Sequence, residues 1–228
     1  MAASAKDGEP RSHGVDGGAP RLGQEVHVPA HPVRFVTATA LFDGHDAAIN
    51  IMRRILQAQG AEVVHLGHDR SVREVVDAVL EEDAQGVAVS SYQGGHVEYF
   101  EYLAARLKEA GAGQARIFGG GGGVIVPEEI ARLAKAGVRI FSPEDGQRLG
   151  LSGMISELIR ACDTDLAARP PSADAVLAGE RRALARAITC LQAGRLPDAD
   201  RTALARAAGD RPVPMLGITG TAWIPSTR

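Results

Sequence analysis

The chain has 228 residues, 45% of them hydrophobic, and a formal net charge of -3. That length accommodates one well-formed domain with an appendage, and the mild negative charge with no dense Lys/Arg run excludes a general binder of nucleic acid or of anionic membrane. Cys162 and Cys190 fit neither a disulfide framework nor a zinc pattern. No apolar run approaches the roughly 20 residues that span a bilayer, and the N-terminus lacks a secretory profile, so a cytoplasmic protein is expected.

Residues 1–31 are rich in Gly, Pro, Ala, Ser and charge without an apolar period, and are expected to form a disordered leader, with a short segment near residues 24–28 docking late. From Val33 onward, short β-branched runs alternate with amphipathic stretches. Strands are expected over residues 33–40, 61–66, 86–90, 115–118 and 138–141. Between them, Ala48, Ile51, Met52, Ile55 and Leu56 recur at helical spacing and Gly60 ends that helix. Ser71 with Glu74 three residues on forms a capping box ahead of Val72, Val75, Val76, Val79 and Leu80. Tyr99, Leu103 and Leu107 share one face of a helix over residues 96–110. Pro127 stands at the first turn of the next helix, and residues 147–161 form a closing one.

Five strands, each followed by a helix, predict an α/β fold with right-handed crossovers, a flavodoxin-like (Rossmann-like) five-stranded parallel sheet in the order 2-1-3-4-5. In that order the loops after strands one and three flank the switch point where ligands bind. Beyond Thr164 the character changes. Residues 167–172 read as a linker, and residues 173–193 and 198–208 as helices with little apolar stripe of their own, so residues 166–212 are expected to be a helical linker.

The first loop carries Asp43-Gly44-His45-Asp46. A histidine on a turn is often only a surface residue. Asp43, however, stands two residues upstream across a flexible glycine, so its carboxylate can take the proton of one ring nitrogen and leave the other free as a Lewis base. Asp43 has the alternative role of helix N-cap, for which Asp46 is better placed. The loop after strand three carries Ser90-Ser91-Tyr92-Gln93-Gly94-Gly95-His96, where the hydroxyls are either capping groups or ligand contacts, and Gly94-Gly95 permits close backbone approach. The run 119–123 is all glycine. Oligoglycine is usually a linker, but inside a compact domain it reads better as bare backbone against which a bulky ligand lies. His65 and His68 with His45 could suggest zinc, yet no Cys or Glu completes a set.

Asp43-x-His45, Ser90-x-Tyr92 and the glycines after strand four resemble the D-x-H-x-x-G, S-x-L and GG signature of cobalamin-binding domains, found in adenosylcobalamin-dependent mutases and methionine synthase. The likeness covers residues 33–164, and the surrounding stretches look specifically like the fused isobutyryl-CoA mutase branch. The resemblance implies adenosylcobalamin bound base-off/His-on, with His45 as the lower axial ligand to cobalt and Asp43 behind it. It places further cofactor contacts at Gly44, Asp46, Ile49, Ser90, Ser91, Tyr92, Gly94, Gly95, Gly119, Gly120, Gly121, Gly122, Ser142 and Pro143, with Ser90 bonding the displaced base. Two positions depart from the signature: Ala48 replaces its last glycine and Tyr92 its leucine. The implied activity is an isobutyryl-CoA/n-butyryl-CoA or methylmalonyl-CoA type rearrangement. The implied partners are an acyl-CoA mutase barrel and a G-protein chaperone domain, and without that barrel binding without turnover is expected.

Residues 213–221 resemble the strand and opening of a phosphate loop, but Pro225 and Ser226 stand where such a loop needs Gly and Lys. Residues 213–228 are therefore read as a truncated start of a P-loop GTPase domain without GTPase activity. A phosphoacceptor receiver shares the sheet order but needs an aspartate ending strand three and a lysine after strand five, where Ser90 and Ser142-Pro143 stand. A stand-alone cobalamin carrier, or a cobalamin-dependent sensor or methyltransferase module, is the alternative; no DNA-binding or methyl-transfer module is visible to go with it.

Overall fold

The computed structural model describes residues 26–211, 213, 214 and 217. The chain divides into two compact units, one ending at Thr164 and the other starting at Asp165. In the first, β1 (Arg34–Thr39), β2 (Glu62–His65), β3 (Gly86–Ser90), β4 (Arg116–Gly120) and β5 (Val138–Ile140) form one parallel sheet in the order β2-β1-β3-β4-β5. This is the order expected from the alternation of strand and helix.

Helices cover both faces. On one side α2 (Val72–Glu81), α3 (His96–Glu109) and α4 (Pro127–Lys135) pack Val75, Phe100, Leu103 and Leu133 against Val36, Val87 and Ile117. On the other, α1 (Ala47–Ala58) and α5 (Pro143–Cys162) pack Leu56, Met154 and Ile155 against Phe35, Ala88 and Phe118. Burial on both faces explains why β3, Gly86-Val-Ala-Val-Ser90, contains no charged residue. The Ser71–Glu74 capping box forms as expected.

Three boundaries differ from expectation. β4 continues through Gly119 and Gly120, so the glycine run begins inside the sheet. The closing helix α5 starts at Pro143, because Ser142 caps it through the backbone N–H of Asp145 (3.2 Å) and proline suits its first position. It bends at Gly150, whose φ is 64°. Residues 173–193 are two helices, α6 (Ala173–Leu177) and α7 (Arg181–Gln192), parted at Gly179 with φ 82°. A single 3-10 turn, Leu166–Ala168, precedes them and α8 (Asp198–Asp210) follows.

The last part of the expected leader is held in place. Asp163, at the end of α5, accepts the backbone N–H groups of Ala30 (2.8 Å) and His31 (3.1 Å) and meets the rings of His27 and His31 (both 2.9 Å). Burial alone would raise the Asp163 carboxyl, but these bonds outweigh it and hold its pKa at about 2. Nearby, Gln85 accepts the backbone N–H of Arg34 (2.8 Å) and donates to the carbonyls of Pro32 (2.8 Å) and Thr164 (3.4 Å). Residues 1–25 and most of the expected phosphate-loop remnant at 213–228 lie outside the described residues. Among the described residues no helix is long and apolar enough to cross a membrane.

Candidate functional site

β1 ends buried and hands over to a tight turn, in which the N–H of Asp43 bonds the carbonyl of Ala40 (3.1 Å). The Asp43 side chain is fully buried, and both its oxygens are used. Oδ1 accepts the backbone N–H of His45 (2.9 Å) and faces ring Nδ1 (2.7 Å), and Oδ2 accepts the backbone N–H of Tyr92. Burial pushes this carboxyl up. The bonds from Tyr92 and His45 more than offset that push and leave it below the ordinary carboxylate value. Asp43 is therefore ionised at neutral pH, and its contribution to stability is lost only as pH falls through that lowered value.

An ionised carboxylate can only accept, so in the neutral ring the His45 proton belongs on Nδ1 and the Nε2 lone pair is free. The His45 side chain is 77% exposed. The ring is thus fixed at its base and open at its tip, the arrangement of an imidazole ready to coordinate a metal. Asp46 takes the N-cap position of α1 without a side-chain cap bond; its carboxylate instead accepts from Asn50 Nδ2 (3.0 Å). The capping role expected of Asp46 is not taken up, because its backbone is already turned into the helical region.

Beside this turn a groove of about 230 Å³ runs between α1 and α5, floored by the C-terminal ends of β3 and β4. Ile49, Ser90, Tyr92, Gly119, Gly120, Gly121, Gly122, Ser142 and Pro143 all line it. Register explains the floor. Thr39 pairs with Ser90 and Ser90 with Gly120, so these three stand in one row on the face covered by α1 and α5. Thr39 and Ser90 share a hydroxyl hydrogen bond (3.1 Å), which leaves one hydroxyl proton of the pair uncommitted. Thr39 opens the first loop in the sequence but is given no role there. Its signal was there, since it is the polar residue at the end of an apolar strand in line with Ser90. Met52, Leu151 and Met154 of the groove walls come from helices far apart in sequence and could not be gathered without the fold.

The glycines divide by role. A Cβ on Gly119 would stand 2.5 Å from the Phe100 ring and 2.7 Å from Ile140, and one on Gly121 would stand 2.1 Å from the carbonyl of Ser91. These two are glycines because the protein itself crowds them. Gly122 has φ 62° and abuts the Tyr92 ring. Gly120 meets nothing closer than 3.7 Å and Gly123 nothing within 4 Å; of these two, Gly120 lines the groove, and its missing side chain keeps the groove open. Gly119, Gly120, Gly121 and Gly122 all line the groove, and at Gly119 and Gly121 crowding by the protein itself is a second reason for glycine.

Ser91 is buried with its hydroxyl unpartnered, next to the groove residues in sequence but not among its lining. Gly94 and Gly95 precede α3 and also stand outside the lining; the Gly95 N–H bonds Gln93 Oε1 (2.6 Å). His96 does more than open α3. It is buried, with Nδ1 on the carbonyl of Gln93 (2.9 Å) and Nε2 on Glu129 (2.8 Å). No group of three or more His, Cys, Asp or Glu able to hold a metal occurs among the described residues.

The residues fit a group with one open metal position and a long planar-headed tail. His45 offers a single nitrogen, and the groove offers apolar walls, a hydroxyl pair and a gap where Gly120 lacks a side chain. Comparison with known proteins agrees. The B12 binding domain family matches residues 33–150. A fused isobutyryl-CoA mutase of Nocardia farcinica is 76% identical over 196 residues, 86% of this chain and 18% of the relative, and one from Cupriavidus metallidurans is 60% identical over 195 residues. This chain therefore spans about a fifth of the length of these relatives. The 2-hydroxyisobutanoyl-CoA mutase small subunit of Aquincola tertiaricarbonis is 31% identical over 130 residues, covering 57% of this chain and 94% of that subunit.

Proposed function

The chain belongs to the B12-binding domain family, and from that premise we infer that it holds adenosylcobalamin base-off/His-on as the cofactor-binding part of an acyl-CoA mutase. The observation that carries the reading is His45, one ring nitrogen bonded to a buried, ionised Asp43 and the other bare and exposed. With Asp43 taking the Nδ1 proton of the neutral ring, Nε2 would be the donor that holds cobalt, and the negative charge of Asp43 would strengthen that donor.

The groove between α1 and α5 would hold the displaced nucleotide tail, with Ser90, backed by Thr39, offering a hydroxyl to its base. Ile49, Met52 and Met154 would shield the base from water, and Gly120 would leave room for it. Bound cobalamin supplies the radical chemistry for rearranging a carbon skeleton. This chain's share is to orient the group and to set its lower ligand. The catalytic partner is an acyl-CoA-binding mutase barrel, fused or separate, and relatives of both kinds support it. A G-protein chaperone is the second partner, the substrate is of the isobutyryl-CoA class, and the protein works in the cytoplasm.

The test is spectroscopic. Purified protein mixed with hydroxocobalamin is expected to give a base-off/His-on visible spectrum that His45→Ala abolishes. Wild type and variant both leaving the spectrum of the free cofactor unchanged would overturn the reading.

A further inference from the structure

Phe42 is the residue immediately before Asp43, and two facts about it conflict. Its φ is 63°, the left-handed region that a bulky aromatic adopts with strain. Its side chain is 85% exposed, so the ring gains no burial within this chain in return. An exposed aromatic alone means little. An exposed aromatic held in a strained conformation does.

The strain is imposed by a clamp. Phe42 occupies the third position of the turn closed by Asp43 N–H on the carbonyl of Ala40, a place that favours glycine when φ is positive. Asp69, from the loop after β2, accepts the Phe42 backbone N–H at 2.7 Å and donates its own N–H to the carbonyl of Asp43 at 3.3 Å. Asp69 is itself left-handed, with φ 58°. Two non-glycine residues in an unfavourable region thus brace one another across two loops, and the product is a ring held out in solvent three residues from His45. The same short turn exposes a bare nitrogen and an apolar plate.

Given that His45 binds cobalt, as inferred above, we propose that Phe42 is a positioning residue for the cofactor: its ring packs on the apolar surface of the corrin macrocycle and keeps water from the His45 bond. The strain in the turn is then compensated only when cobalamin is bound, which makes Phe42 a determinant of affinity rather than of folding.

The experiment uses this chain with Phe42→Gly, Phe42→Leu and His45→Ala, titrated with hydroxocobalamin in the visible range, with thermal unfolding of each cofactor-free protein. Phe42→Gly should melt no lower than wild type, since glycine accepts the turn freely, yet bind about tenfold or more weakly, the worth of one buried apolar ring. At saturation its spectrum should still be His-on. Phe42→Leu, which keeps apolar bulk, should bind within about threefold of wild type. Affinity of Phe42→Gly within about twofold of wild type would overturn the proposal. A lowered melting temperature would overturn it too, by giving the ring a folding role. If wild type itself shows no His-on spectrum, the reading of His45 fails, and that outcome is distinct from either.

Discussion

In the sheet unit the fully buried side chains are large, Phe35, Phe100, Leu56, Leu103 and Leu107 among them. Among the described residues after Thr164 the buried ones are Ala167, Ala173, Ala183, Ala185, Ala187 and Cys190, while Leu184, Ile188 and Leu191 on α7 are half exposed. Those three recur at helical spacing and share one face. α8 buries nothing. Folding is driven by apolar area removed from water, about 25 cal/mol per Å², so alanine contacts contribute little beside the phenylalanines and leucines of the sheet. The first unit thus carries its own driving force, enough to hold a buried charge at Asp43 and strained backbone at Phe42. Among the described residues of the second unit there are helices but no comparable interior.

Mutations can break or sharpen this contrast. The largest effect is expected at the centre of the sheet unit. Phe100→Ala should cost about 4 kcal/mol in chemical denaturation, because Phe100 is wholly buried between α3 and the sheet. A cost under about 1 kcal/mol would show that the interior relaxes freely and would erase the contrast. A smaller effect is expected along the glycine run. Gly119→Ala should destabilise by about 1 to 3 kcal/mol, since its methyl would press on the Phe100 ring and Ile140. Gly120→Ala should leave stability within about 0.5 kcal/mol yet weaken cobalamin binding, since its methyl meets no protein atom closer than 3.7 Å and stands in the groove. Equal stability loss at both positions would refute the division of the glycines. The smallest effect is expected at Ile188→Ala, within about 0.5 kcal/mol, because its side chain is half in water.

The contrast also accounts for what the sequence reveals. Strand order, the Ser71–Glu74 cap and the pairing of Asp43 with His45 were legible because each depends on residues close in the chain or on simple alternation. The start of α5 was legible in principle, since Ser142 with Pro143 and Asp145 is an N-terminal signature, but the apolar period begins later and drew the expected boundary to Gln147. The separate roles within the glycine run were not legible because five identical residues carry no record of direction. Only pairing with β3 shows that Gly119 faces Phe100 while Gly120 faces the groove. His96 was read as a helix opener, since its partner Glu129 lies on another helix. Its doubly bonded ring has consequences for pH. Burial pulls the His96 pKa down, but the bonds to Gln93 and Glu129 more than restore it and leave it above the ordinary value. Whatever stability the charged ring lends is therefore full below the unfolded-state value and declines as pH rises through the folded one.

One feature away from the ligand bears on how such a unit is carried. The segment leading into β1 and the end of α5 meet at one place, where Asp163 grips residues 27–31 and Gln85 ties Pro32, Arg34 and Thr164 together. That place is the N-terminal edge of a parallel sheet whose C-terminal edge holds His45 and the groove. The described start of this unit and its last helix thus come together at the edge opposite His45 and the groove. A unit connected in that way can be inserted into a longer polypeptide or released as a separate subunit with its working face unchanged. Its relatives occupy both situations, from about a fifth of a fused mutase to nearly the whole of a small subunit.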